Sequence, residues 1–144
     1  MQLGKTIHEL KVGDKDSFTK TIAESDVYLF AGITGDFNPV HVNEEFAKKG
    51  LFGTRVAHGT LTLSLIAPVL GMKLPGLGTV LTDIKMKFLA PARIGDTITA
   101  TAEVINIDIP KSRVAMRLTY TNQHGKLISA GEAVVLPPPA HRNT

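Results

Sequence analysis

The chain has 144 residues, 43% of them hydrophobic and 20% charged, with 16 basic against 13 acidic side chains for a formal charge of +3. That length fits one domain able to bury roughly two-thirds of its unfolded surface, and the apolar content excludes global disorder. No basic run exceeds a pair such as Lys48-Lys49, so no nucleic-acid partner is expected, and the absence of cysteine excludes disulfides, Cys-based zinc sites and thiol nucleophiles.

Residues 17–23 alternate, with Phe18, Thr19, Thr21 and Ile22, and read as a first strand. From Ser25, the expected N-cap, Val27, Phe30, Ala31 and Thr34 recur at helical spacing, and Gly35 is placed to end that helix in a left-handed conformation. Asp36 then emerges at the helix end, within Gly35-Asp36-Phe37-Asn38-Pro39-Val40-His41. Pro39 has no N–H and biases Asn38 away from αR, so no helix continues through, and a carboxylate is displayed five residues before an imidazole. An ionised aspartate beside a histidine that can take or give a proton suits moving one proton off carbon and one onto oxygen. That is the chemistry of adding or removing water across a double bond.

Asn43 is placed to cap a short helix through Glu44, Glu45 and Phe46, with Lys48 and Lys49 near its end and Gly50 stopping it. After a loop at 50–57, residues 58–70 carry Leu61, Leu63, Leu65, Ile66, Val69 and Leu70 on more than one stripe. This predicts a helix buried on most sides, the central helix of the domain, kinked or shortened by Pro68. Four strands follow, marked by Val80, Ile84, Met86 and Phe88; by Ile98, Ala100, Ala102 and Val104; by Val114, Met116, Leu118 and Tyr120; and by residues 127–136. Gln123-His124-Gly125-Lys126 reads as a tight hairpin connection, and residues 106–112, with Pro110, as a longer one.

The domain is expected over residues 1–136, and the tail 137–144, with three consecutive prolines, is expected on the surface or disordered. Residues 1–10 lack an apolar leader and no apolar stretch approaches ~18 residues, so no membrane association and a cytoplasmic location are expected. The order of elements predicts an α+β fold, a single antiparallel sheet curled around a central helix in the hot-dog manner. Such a domain leaves a sheet edge and a helix flank uncovered, which predicts a homodimer with continuous sheets.

Four blocks carry a resemblance: residues 35–41, Ala57-His58-Gly59, Leu74-Pro75-Gly76-Leu77-Gly78-Thr79, and residues 88–96 with Pro91 and Gly95-Asp96. In this order, over residues 12–136, they closely resemble the MaoC-like (R)-specific enoyl-CoA hydratases. The resemblance implies reversible syn hydration of a trans-2-enoyl-CoA to (R)-3-hydroxyacyl-CoA, without metal or redox cofactor. Residue by residue, Asp36 and His41 match the family's catalytic pair and the Gly59 N–H matches the donor to the thioester oxygen. The physical logic agrees, because a fixed N–H stabilises the charge that develops in an enolate-like state, and glycine lets a ligand approach the backbone. Many relatives carry a serine where this chain has Ala67; Ser64, one turn earlier, substitutes only in a different register.

His58 is read as a structural hydrogen-bonding group between loop and helix, with a place in the pocket wall as the alternative. A metal on Asp36, His41 and His58 is not expected, since the spacing puts no two of them on one helical face and no His-Glu-x-x-His occurs. No Gly-x-Ser-x-Gly elbow is present for acyl-enzyme chemistry. Lys48, Lys49, Arg55, Lys85 and Lys87 read as surface charges, some of them available to CoA phosphates. Which of Asp36 and His41 acts on water stays open at this level. So do three other readings: an acyl-thioester dehydratase of fatty-acid synthesis, a hot-dog thioesterase, and a non-catalytic acyl-CoA-binding subunit.

Overall fold

Five antiparallel strands make one sheet in the computed structural model, which describes residues 1–140. They are β1 (Lys15–Thr21), β2 (Val80–Phe88), β3 (Thr97–Asp108), β4 (Arg113–Thr121) and β5 (Leu127–Leu136), in the spatial order β1-β3-β4-β5-β2. Between β1 and β2 come α1 (Glu24–Thr34), α2 (Pro39–Val42), α3 (Glu44–Ala47), α4 (Gly59–Ser64) and a π-helical turn, Val69–Lys73. The sheet wraps the α4 segment, which is the hot-dog arrangement the element order predicts. Among the described residues no helix is long and apolar enough to cross a membrane.

The alternation of β3 and β4 translates directly into burial. Ile98, Ala100, Ala102 and Val104 face inward with Val114, Met116, Leu118 and Tyr120, and all eight are 0% exposed. Ala100 lies opposite Tyr120 and Ala102 opposite Leu118, so small residues face large ones and leave a trough for α4. From α4 and the turn after it, Leu61, Leu65, Ile66, Val69 and Leu70 complete this core. Tyr120 fixes the helix by donating its hydroxyl to the Leu63 carbonyl at 2.7 Å, and burial pushes that phenol above its ordinary pKa.

Several boundaries differ from the sequence reading. The central helix is α-helical only to Ser64: the Leu65 and Ile66 N–H groups close tight i→i−3 bonds to Thr62 and Leu63, and Pro68 has no N–H to continue the ladder. The N-cap of α1 is Ala23, not Ser25, because the Asp26 carboxylate reaches back to accept the Ala23 N–H at 2.8 Å. β1 begins and ends two residues earlier than expected, and β3 runs on to Asp108, so only residues 109–112 connect it to β4. Pro137 and Pro138 are buried rather than on the surface; Pro138 lies beside Gly78, with Leu3 on the same glycine. Residues 141–144 of that tail lie outside the described residues.

β2 is an uncovered edge of the kind the element order predicts. Its apolar residues alternate as predicted, yet Val80 is 52% exposed, Leu81 46%, Ile84 38% and Phe88 52%. β2 is an edge strand whose side chains meet little of this chain's own core.

Candidate active site

The turn that carries Asp36 and His41 is built by local bonds. Gly35, at φ 80°, ends α1 with its N–H on the Ala31 carbonyl (2.8 Å) and turns the chain away from the helix axis. The Asp36 carboxylate accepts the Asn38 N–H at 3.1 Å, and the Asn38 side chain accepts the Val40 N–H at 3.2 Å. Two successive Asx turns therefore lead into α2, with Pro39 at its first position, where a missing N–H costs nothing. His41 sits in the single turn that follows.

Tertiary bonds then aim the side chains. The Ala57 N–H donates to the Ala92 carbonyl (2.8 Å) and the Val56 N–H to the Val40 carbonyl (3.2 Å), so the 56–58 segment is held against both α2 and the turn before β3. That turn is itself fixed by the Asp96 carboxylate accepting the Arg93 N–H at 2.8 Å. Held this way, the Val56 carbonyl accepts His41 Nδ1–H at 2.7 Å, and the Asp36 carbonyl accepts His58 Nε2–H at 2.9 Å. A carbonyl only accepts, so each bond fixes a tautomer: the second nitrogen of His41 is Nε2, that of His58 is Nδ1. The two imidazoles stack with centroids 3.9 Å apart and planes 26° apart.

Asp36, His41 and His58 thus come together, with one donor atom from each within 4.8 Å of the others. Asp36 is exposed, His41 half-buried and His58 only 1% exposed. Distance alone would admit a cation. A metal, however, must lie in the plane of each imidazole about 2 Å from nitrogen, and two rings stacked this closely share no such point. The arrangement suits proton transfer better than shared coordination.

His41 and Gly59 meet in the wall of one cavity of about 280 Å³, together with Phe52, Thr62, Phe88 and Ile128. Asp36 is not part of that wall; it stands beside His41 on the solvent side. Gly59 opens α4, and its N-cap His58 makes no side-chain cap bond, so nothing from the cap competes for the first N–H groups of the helix. A Cβ on Gly59 would come within 3.0–3.1 Å of the Phe88 ring, which would have to shift to admit one. Neither Ser64 nor Ala67 joins this cavity. Both line a separate hollow beside β2, and the Ser64 hydroxyl donates to the Leu61 carbonyl at 2.6 Å.

Arg55 is the residue the sequence reading placed least well. Rather than a free surface charge, it bonds Glu24 (2.8 Å), Glu44 (3.1 Å) and the Tyr28 oxygen (2.7 Å), tying α1 and α3 to the loop before the site. The Tyr28 hydroxyl and then Arg55 hold Glu24 below its ordinary pKa; the Thr54 hydroxyl and then Arg55 do the same for Glu44. Nothing in the sequence marks the Val56 carbonyl or Thr62 as part of the site, since neither belongs to a spaced motif.

A MaoC like domain model matches residues 8–125. The chain is 48% identical to an (R)-specific enoyl-CoA hydratase of Rhodospirillum rubrum over 90% of each chain. It is 46% identical to a 3-hydroxybutyryl-CoA dehydratase of Methylorubrum extorquens over 90% of this chain and 82% of that one. An R-hydratase structure from Pseudomonas aeruginosa superposes with a TM-score of 0.88 at 38% identity, covering 94% of this chain and 86% of the other.

Proposed function

The chain belongs to the MaoC-like (R)-specific enoyl-CoA hydratase family and is a hydro-lyase, and on that premise we propose that it hydrates trans-2-enoyl-CoA reversibly to (R)-3-hydroxyacyl-CoA. The observation that carries this reading is the convergence of Asp36 and His41 beside a cavity that also exposes the start of α4 at Gly59. The relatives named for this chemistry support the substrate class. A cavity of about 280 Å³ lies just below the roughly 300–1,000 Å³ usual for ligand sites, which favours a short acyl chain.

In the hydration direction Asp36 accepts a proton from water while the water oxygen bonds to C3. The π pair shifts toward C2 and the thioester oxygen, where the Gly59 N–H stabilises the charge as it develops. His41, as imidazolium with Nδ1–H on Val56, delivers its Nε2 proton to C2. Water is added in balance, and proton exchange resets the pair. As proposed, the step is carried by protein groups alone, with neither metal nor redox cofactor.

We further infer a homodimer in which a second copy pairs along β2. Half-exposed Val80, Leu81, Ile84 and Phe88 on an edge strand support this, because a lone apolar edge is a liability that a continuous sheet removes.

The test is the loss of enoyl-thioester absorbance on crotonyl-CoA, with the product read by an (R)- or (S)-specific dehydrogenase. Turnover to the (R) product, abolished in Asp36→Asn and His41→Ala, is the expected result. Folded wild-type protein that turns over neither CoA nor acyl-carrier substrates overturns the hydratase reading.

A further inference from the structure

His58 takes no proton in the step just described, yet it is the most deeply buried polar residue of the site, at 1% exposure. We propose that His58 is a positioning residue for both catalytic groups, fixing the Asp36 backbone with its N–H and the His41 ring plane with its face. The inference rests on the hydratase reading above and adds a residue to it.

As N-cap of α4, residue 58 has the conformation from which a serine or aspartate side chain would accept a first-turn N–H. The imidazole makes no such bond. It turns instead to donate Nε2–H to the carbonyl of Asp36, 22 residues earlier in the chain. A residue that leaves its helix uncapped while bonding the catalytic turn is placed for that turn.

Two constraints act on His41. The Val56 carbonyl fixes the direction of Nδ1, which leaves the ring free to tilt about that bond. Stacking on His58 at 3.9 Å removes the tilt, and Phe30 backs His58 edge-on at 4.9 Å. Together they set the line along which Nε2 meets the substrate. His58 Nδ1 has no partner among the described residues, so the ring's hydrogen bond is the one its Nε2–H makes to the Asp36 carbonyl.

His58 is bonded in sequence to Gly59 and through its ring to Asp36 and His41. One side chain thereby sets the separation between the acid–base pair and the backbone donor, the distance a transition state must span. Misplacement of about 1 Å in such a constellation costs on the order of a hundredfold in rate. Substrate binding, which depends on the apolar cavity, does not need that precision.

Two variants separate the roles. His58→Phe keeps a ring to stack and loses the N–H; His58→Gln keeps an N–H that can reach the Asp36 carbonyl and loses the stack. On crotonyl-CoA, His58→Phe is expected to lose about a hundredfold in kcat with KM within about threefold, and His58→Gln to recover part of that loss. A folded His58→Phe with kcat within threefold of wild type overturns the proposal, as does a loss confined to KM. Should His58→Phe fail to fold, His58→Gln decides: a tenfold fall in kcat at unchanged Tm supports positioning, and wild-type kcat overturns it. Wild-type protein is the control, since its inactivity would count against the hydratase reading and not against the role of His58.

Discussion

The centre of the sheet and the segment from Asp36 to Gly59 are held together by different physics. In β3 and β4 eight side chains are wholly buried, and beyond the strand ladder only Tyr120 makes a directional bond, to the Leu63 carbonyl. In the site segment Asp36 and Gly59 are exposed and His41 half-buried, and position comes from single bonds to particular carbonyls, Val56 for His41 and Asp36 for His58. Burial tolerates small shifts because contact energy is spread over many atoms; a hydrogen bond specifies direction with one pair. The first region should therefore govern stability and the second chemistry.

The sharpest way to break that division is Asp36→Asn. It is expected to lower crotonyl-CoA hydration by about a thousandfold while leaving Tm within a few degrees, since the Asp36 carboxylate is exposed and accepts only the Asn38 N–H of its own turn, and the backbone carbonyl that His58 bonds is unchanged. A comparable fall in Tm would show the turn to be part of the core. The converse substitution, Met116→Ala, removes a side chain that is 0% exposed. Denaturant titration should show a loss of about 2–5 kcal/mol, with kcat per folded molecule unchanged.

β2 tests the comparison from the other side, because it belongs to the sheet but is not buried by this chain. Ile84→Lys is expected to shift sedimentation from dimer to monomer at micromolar concentration, without the loss of fold that a charge at Val104 would cause. A persistent dimer would place the interface elsewhere.

The smallest effect concerns the Arg55 cluster that joins the two regions. Glu24 and Glu44 are both held below the ordinary glutamate value of 4.5. Their contribution is therefore whole above that pH and lost as pH falls below it toward the folded-state values. Arg55→Ala should lower Tm by a few degrees at neutral pH, and the gap to wild type should close as pH falls below 4.5 through the lowered folded-state values. A gap that persists there would assign the effect to packing.

Much of the local structure was legible in sequence. Gly35 ends α1 where the periodicity stops, Asn43 caps α3 through the Phe46 N–H, and the β3 and β4 alternation became the core. Those features depend on neighbours within a few residues. The shortening by Pro68 was also foreseeable, and the α1 start differs through an equally local bond, the Asp26 carboxylate on the Ala23 N–H; a distant partner decided Arg55, which Glu24 and Glu44 turn from surface charge to clamp. β2 was read correctly as a strand, but periodicity shows only that one face is apolar and cannot say what covers it.

For the site the same line holds. The order Gly35-Asp36-Phe37-Asn38-Pro39-Val40-His41 by itself determined that an acid and an imidazole would be displayed on one turn, because glycine, asparagine and proline restrict their own backbone dihedrals. Only the tertiary structure decided which nitrogen of His41 is free, that His58 joins the pair, and that Gly59 rather than Asp36 shares a cavity wall with His41. Those outcomes depend on where Val56, Ala92 and Phe88 stand, and a chain brings such distant residues together only by burying one common core.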